Sequence, residues 1–264
     1  MRYNLLIYLS MLLPACLQGQ GFSIDQEIKE DSIRYYANNT NYCPYYVQIQ
    51  AQIDSVAFGE AHSFVIEAQT KHKRIIAYAK PNKAGKIDYV VSGYFGSPYT
   101  KPDSSYIYTL PYAPKTGYRI IQGYKGRFSH KNQYALDFRM PIGTPIHAVR
   151  SGVVVRVKDD SDKHGRTMAF AQFGNHIIIY HEDGTLGYYY HISKDGSKVK
   201  VGDTVQQKQF IALSGNTGWS TTPHLHFIVK YTSTKGYESL PTWFCTSQKS
   251  RTYLKAKHKY LACE

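Results

Sequence analysis

The amino-acid sequence predicts a mainly β protein. It contains 25 tyrosines, and aromatic residues make up 14% of its 264 residues. Such side chains favour strands and bury large areas there. Apolar and polar residues alternate along 47–53, which is typical of a strand with one buried face. A chain of this length can form one large β domain or two smaller ones, each with a real core.

The first region, 25–115, is predicted to be a β-rich accessory domain with a sandwich-like arrangement. Strands are expected at 47–53, 74–78 and 89–91, and each of the last two is followed by a turn that contains proline or glycine. Two prolines within 110–114 end the region, because proline is excluded from central strands.

The second region, 118–232, reads as a dense series of short strands without sustained helical periodicity. Asp183-Gly184 lies between two β-rich runs and predicts a hairpin. The remaining segment, 233–264, is a basic C-terminal tail for which a short helix and a solvated arm are both compatible with the pattern. The strands are predicted at 146–149, 152–155, 176–181, 186–191, 209–213 and 223–229.

The chain is strongly basic, with a formal net charge of +13 and a pI near 9.4. Such a charge implies attraction to an anionic surface, which could be nucleic acid, anionic lipid or cell-wall polymer. Composition alone does not choose among these partners.

The N-terminus has the pattern of a targeting signal. Arg2 precedes the apolar stretch 5–13, which is too short to span a bilayer and has the order of a signal peptide over residues 1–19. Two readings of its end stay open. The segment 13–16 resembles a lipobox, in which Cys16 would be acylated and attach the protein to a membrane; cleavage after Gly19 would release a soluble protein. Both place the protein in the cell envelope, the periplasm or outside the cell, where nucleic acid is a rare partner.

Either reading removes Cys16 from disulfide chemistry and leaves three cysteines. Cys245 and Cys263 are close enough in sequence to form a bridge in an oxidising compartment, with Cys43 as a buried free thiol. No paired C-x-x-C occurs, which argues against a thiolate zinc site.

Chemistry concentrates in the second region, which holds eight of the eleven histidines. His224 and His226 flank Leu225 in an apolar run, so in a strand both imidazoles face the same side. Two histidines on one β face are costly to bury without partners, and a metal ion is the simplest partner.

A second pair lies nearly a hundred residues earlier. Asp137 follows His130 and sits between apolar neighbours, so its carboxylate is either solvent-facing or held by a cation. A His nitrogen, an Asp oxygen and one further His nitrogen form a three-ligand zinc set that leaves the fourth tetrahedral position open, as in catalytic zinc sites. His191 ends a tyrosine-rich strand and is placed for a supporting or catalytic role.

Other candidates are weaker. His147, His176 and His181 are best explained as ordinary sheet residues. The glycine-containing segment 215–218 lacks the lysine and the helix of a phosphate-binding loop, and no nucleophile elbow or Ser-His-Asp context is visible.

The order of these motifs resembles the lysostaphin/LytM-type zinc metallopeptidases, which are peptidoglycan endopeptidases. The resemblance covers roughly 120–232 and rests on the His130/Asp137 pair, the strand ending at His191, Gly215-Asn216-Thr217-Gly218, and Pro223-His224-Leu225-His226-Phe227. It implies an antiparallel β peptidase domain over 118–232, of the duplicated hybrid motif type, with an open groove.

The resemblance also implies roles for individual residues. His130, Asp137 and His226 match the family's metal ligands, and His191 and His224 match its catalytic histidines. The His130–Asp137 spacing is longer than in many members, and Thr222 stands where glycine is common, although neither departure removes a catalytic group.

The implied cofactor is one Zn²⁺ per chain, and the implied partner is peptidoglycan, whose stem peptides or cross-bridges would be hydrolysed. His224 is expected to be the general base and His191 to stabilise the intermediate or protonate the leaving amine, although these roles are exchangeable. The alternative from another class is a non-catalytic member that binds cell wall or activates a separate amidase. The sequence does not reveal which bond is cut.

Overall fold

The computed structural model describes residues 21–57, 59–81 and 85–264. The predicted signal peptide, with Cys16 and Gly19, lies outside these residues. The chain divides into two compact units, Met1–Ser97 and Pro98–Glu264. Within the described part, no helix has both the length and the apolar composition that a bilayer span requires.

The first unit consists of two antiparallel sheets. One has the strand order β1-β2-β6, and in the other β3 pairs with β4, β5 and β7. The strands are β1 (Phe22–Ile28), β2 (Ser32–Asn39), β3 (Tyr45–Ile53), β4 (Val56–Ala57), β5 (His62–Ile66), β6 (Thr70–Ala79) and β7 (Ile87–Phe95).

Aromatic side chains join the two sheets of this unit. Phe22 of β1 stacks on Tyr45 of β3 with ring centroids 4.5 Å apart, and Tyr35 of β2 meets Tyr89 of β7 edge-on at 5.4 Å. The predicted alternation in β3 is confirmed, because its valine, isoleucines and alanine are buried while its glutamines are half-exposed. The sandwich-like arrangement follows from this one-sided burial.

The second unit is built on a nine-stranded sheet with the order β17-β12-β14-β15-β20-β10-β9-β23, in which β21 also pairs with β20. A three-stranded sheet, β11-β18-β16, and two parallel pairs, β13-β19 and β22-β8, complete the unit, together with a 3-10 helix at Met168–Phe173. The strands are β8 (Ile107–Tyr108), β9 (Gly117–Gln122), β10 (Ala135–Phe138), β11 (Pro145–His147), β12 (Gly152–Lys158), β13 (His164–Gly165), β14 (His176–Tyr180), β15 (Leu186–Tyr190), β16 (Ile192–Ser197), β17 (Thr204–Val205), β18 (Phe210–Ser214), β19 (Gly218–Trp219), β20 (Leu225–Ser233), β21 (Gly236–Ser239), β22 (Trp243–Phe244) and β23 (Lys259–Leu261).

One face of the large sheet carries the core of this unit. Leu136 and Phe138 of β10 and Leu225 and Phe227 of β20 are essentially inaccessible to solvent and belong to one buried cluster. Since side chains alternate between the faces of a strand, the residues between them point to the opposite face. That face carries the candidate site.

The segments on either side of the predicted peptidase domain pair with this unit. β8 runs parallel to β22, and β23 pairs with β9. The compact units divide after Ser97, and residues 243–244 and 259–261 form short strands in the segment for which a short helix was one expectation. The division into accessory and peptidase domains stays a prediction.

The three described cysteines carry free thiols. Cys43 is buried as expected, and burial raises the pKa of its thiol to about 12. Cys245 and Cys263 are opposite each other across the antiparallel bridge that joins Thr246 to Ala262. They are neighbours, as the sequence suggested, but no disulfide joins them.

Replacing Tyr35 with phenylalanine should raise the free energy of unfolding by about 1 kcal/mol, because its buried hydroxyl has no hydrogen-bond partner among the described residues. Tyr89→Phe is the matched control: its hydroxyl donates to the Ile24 carbonyl at 3.0 Å, so the same change should destabilise by about 1 kcal/mol. Chemical denaturation measures the free energy of unfolding of both variants. Equal changes in the two variants would contradict the conclusion that the Tyr35 hydroxyl is unpaired and the Tyr89 hydroxyl is paired.

Candidate metal centre

Two neighbouring strands place a carboxylate beside an imidazole. β10 pairs antiparallel with β20, and Asp137 is directly opposite His226. Cross-strand partners share a face of the sheet, so both side chains leave the core together. The result is a 2.9 Å contact between His226 Nδ1 and Asp137 Oδ1.

The third member comes from the loop between β9 and β10. His130 is completely buried, and its backbone N–H donates to the Gly126 carbonyl at 3.1 Å. Its ring Nδ1 lies 3.0 Å from the Gly123 carbonyl, which can only accept, so Nδ1 carries the proton. In the neutral ring, Nε2 therefore directs its lone pair towards Asp137 and His226.

The three ligand atoms form a small triangle. His130 Nε2 lies 3.1 Å from Asp137 Oδ1 and 3.1 Å from His226 Nδ1. Ligands bound tetrahedrally to zinc at about 2.0–2.1 Å would be about 3.3 Å apart. Three electron-rich atoms this close repel one another unless a proton or a metal ion lies between them. Both the donor types and their spacing therefore fit a metal ion, and this group meets the geometric requirements for one.

The electrostatics of the cluster favour an ionised carboxylate. Burial alone would raise the pKa of Asp137, but the His130 and His226 rings outweigh it and hold the pKa well below its usual range. Burial lowers the pKa of His226, whereas for His130 the carboxylate outweighs burial and raises the pKa.

His191 and His224 lie beside this cluster, with their ring centroids 4.6 Å apart. Each ring places Nδ1 near a backbone carbonyl: His191 at 2.6 Å from Thr217 O, and His224 at 2.7 Å from Thr222 O. These contacts fix the Nδ1–H tautomer and leave both Nε2 atoms as acceptors. His224 Nε2 is 3.7 Å from Asp137 Oδ1.

His191 also has an unusual backbone. Its φ is +66°, in the left-handed region, at the point where β15 ends. A non-glycine residue keeps this conformation only where the surrounding structure holds it in place. Such residues are found most often at functional sites. Burial, followed by the neighbouring imidazoles, lowers the pKa of His191 to about 3, so the ring is neutral.

All five predicted side chains thus meet at one place, and the weaker candidates do not join them. His181 is buried with Nδ1 at 2.8 Å from the Ser151 carbonyl, and His147 lies against Phe210. In the glycine-containing segment 215–218, Thr217 supplies the carbonyl that orients His191.

Two supporting residues escaped the sequence analysis. Gln122 of β9 donates through Nε2 to Asp137 Oδ2 at 3.2 Å, and the same nitrogen lies 2.7 Å from Ser129 Oγ. Tyr190 lies edge-on to His226, with ring centroids 5.7 Å apart. The strand alternation could have placed Tyr190 on the face of the site, but no local signal identifies Gln122.

Known proteins resemble the part of the chain that carries this site. Residues 131–237 match the sequence profile of Peptidase family M23. The matched segment begins one residue after His130 and contains the other four residues of the site.

Curated relatives resemble the same part of the chain. Glycyl-glycine endopeptidase ALE-1 of Staphylococcus capitis is 42% identical over 97 residues, which is 36% of this chain and 24% of that protein. Lysostaphin of Staphylococcus simulans is 43% identical over 95 residues, or 36% of this chain and 17% of that protein. Peptidoglycan DD-endopeptidase ShyA of Vibrio cholerae is 43% identical over 91 residues, which is 34% of this chain and 18% of that protein. The chain spans about a quarter or less of the length of these relatives.

Among solved structures, the catalytic domain of lysostaphin from Staphylococcus simulans is 34% identical and aligns with a TM-score of 0.34, covering 48% of this chain and 88% of that one. The sequence match defines a peptidase-type domain. Residues 131–237 form a domain of the Peptidase family M23 type.

Replacing Gln122 with alanine should lower the affinity for added Zn²⁺ by about 10- to 100-fold, because Asp137 loses the neighbour that orients it. Competition with a chromophoric chelator measures the dissociation constant. Gln172→Ala is the control, since that side chain contacts only the Ala169 carbonyl at an exposed position. Equal affinities for the two variants would contradict the supporting role of Gln122.

Proposed function

We propose that this protein is a zinc-dependent endopeptidase that hydrolyses the peptide stems or cross-bridges of peptidoglycan. The observation that carries the proposal is the convergence of His130, Asp137 and His226 into a triangle with edges of 2.9–3.1 Å, next to two further imidazoles. The relatives named as peptidoglycan or glycyl-glycine endopeptidases support the substrate class.

In this proposal His130, Asp137 and His226 hold one zinc ion through two nitrogens and one oxygen. Bound zinc would lower the pKa of a coordinated water to about 7 and polarise the scissile carbonyl. The buried walls of the site strengthen electrostatic interactions with a developing charge, because water is excluded from them.

His224 is proposed as the general base. Its Nε2 is an acceptor close to the ligand cluster, and its Nδ1–H is fixed on the Thr222 carbonyl. It would take a proton from the attacking water. His191, whose ring centroid lies 4.6 Å from that of His224 and 6.0 Å from that of His226, would stabilise the tetrahedral intermediate or pass a proton to the leaving amine. Because both rings have the same hydrogen-bond arrangement, the two roles are exchangeable.

The basic charge of +13 supports a location on anionic envelope material. The signal-peptide-like N-terminus supports export. Mass spectrometry of the mature N-terminus tests whether a lipid is attached at Cys16. The competing function is a non-catalytic wall-binding or amidase-activating protein. That function requires a site without turnover, whereas both imidazoles that we propose as catalytic are present and are held in one tautomer.

Digestion of purified peptidoglycan tests the proposal, with the released fragments identified by mass. Protein lacking residues 1–19 should contain about one zinc per chain and release new amino termini. His226→Ala should lose both the zinc and the activity, while His258→Ala, at an exposed turn, should keep both. Full zinc content in His226→Ala would disprove the ligand assignment.

His224→Ala should keep its zinc and its fold while turnover falls by about 10²- to 10⁴-fold, the usual contribution of a general base. Metal analysis and the rate of peptide release are measured on the same preparation. Turnover at the wild-type rate would exclude His224 as the base, and loss of zinc would show that it is a ligand instead.

A further inference from the structure

A row of side chains crosses the large sheet away from the metal centre. Asp137 is opposite His226, His226 is opposite Tyr190, Tyr190 is opposite His176, and His176 is opposite Lys158. Cross-strand partners share a face, so the row forms the floor of one surface from β10 to β12. Tyr190 lies between the rings of His226 and His176, with centroid distances of 5.7 and 5.2 Å.

Arg156 points into this row from the adjacent position of β12. Its Nε donates to His176 Nε2 at 3.2 Å. His176 Nδ1 lies 3.0 Å from the Gly174 carbonyl and donates to it, which makes Nε2 the acceptor. Burial lowers the pKa of His176 to about 4, so the ring is neutral at physiological pH. His176 therefore orients the guanidinium without neutralising it.

Among the described residues, no carboxylate lies within ion-pair distance of Arg156. Asp160 pairs with Lys158, and Asp137 contacts His130 and His226. The Arg156 side chain is half-buried, and its contact with His176 uses Nε, so the outer guanidinium nitrogens have no hydrogen-bond partner among the described residues. A planar guanidinium with free outer nitrogens is the group that binds a carboxylate through two parallel hydrogen bonds.

The position of Arg156 sets the distance to the reaction centre. His176 lies two strands from His226, and strands are about 4.8 Å apart, so these two positions are about 10 Å apart; Arg156, on β12, is one strand farther from His226. An extended peptide that crosses the strands advances about 3.3 Å per residue, so it would reach His176 in about three residues and Arg156 in three or more.

We propose that Arg156 binds a carboxylate of the substrate peptide three or more residues from the scissile bond, and that His176 positions it. The inference rests on the proposed peptidase function and narrows its substrate class. Peptidoglycan stem peptides carry free carboxylates, whereas a bridge made of glycine carries none on its side chains. The site therefore selects acidic stem peptides over neutral cross-bridges.

The test compares two forms of one substrate: cross-linked stem peptides isolated from peptidoglycan, and the same peptides amidated with a carbodiimide and ammonium chloride. The zinc-loaded wild-type protein should have a kcat/KM about 10- to 100-fold higher for the acidic form, the usual effect of charge-assisted hydrogen bonds. Arg156→Gln should abolish this preference by slowing cleavage of the acidic form alone. Arg156→Lys, which keeps the charge, should restore part of it.

Arg139→Gln is the matched control, since it removes the same charge from an exposed position and should leave the preference intact. Equal cleavage of both forms by the wild type, or an equal loss for both in Arg156→Gln, would overturn the proposal. Calorimetric binding of the two forms separates it from the peptidase function. If the protein cleaves neither form but binds the acidic form about 10-fold more tightly, the carboxylate site is supported and the proposed peptidase function is wrong. If the protein binds the two forms with equal affinity, the proposed carboxylate site is wrong.

Discussion

The antiparallel register of β10 against β20 is the constraint on which the candidate metal centre depends. Sliding either strand by one residue would exchange its faces and turn Asp137 or His226 into the core. The register is held by apolar burial: Leu136, Phe138, Leu225 and Phe227 lie on the core face, and each contributes about 1.5–3 kcal/mol when fully buried. The candidate metal ligands are thus placed by core residues that lie on the opposite face of the sheet.

Backbone carbonyls fix the orientation and the tautomer of three of the site's imidazoles. Those of Gly123, Thr217 and Thr222 each receive the Nδ1–H of one imidazole: His130, His191 and His224 respectively. A carbonyl cannot exchange donor and acceptor roles, so each ring is held in one tautomer. Loop conformation, rather than further side chains, therefore decides which nitrogens face the site.

Local patterns carried much of the prediction. Period-two alternation located β3, and the apolar run around His224 and His226 located the start of β20, because these signals depend only on neighbouring residues. The five site residues were identified by motif order, and the structure brings their side chains together.

The local sequence patterns missed residues whose contacts arise from pairing between strands that are distant in sequence. Gln122 reaches Asp137 only because β9 lies beside β10, and Arg156 reaches His176 only across a strand boundary and a bulge in β12. The strand in the tail has the same origin: a three-residue strand such as β23 has too little sequence for a pattern and exists because β9 offers an edge.

That edge has a consequence for the order in which the protein assembles. β23 pairs with residues 117–119 of β9, and the same strand carries Gln122 to the Asp137 carboxylate. A chain emerging from a ribosome or a translocation channel delivers β9 and β10 long before residues 259–261. Until those residues arrive, one side of the strand that supports the site has no hydrogen-bonded neighbour. Late completion of the sheet would therefore delay the full assembly of the candidate metal centre until residues 259–261 have been delivered.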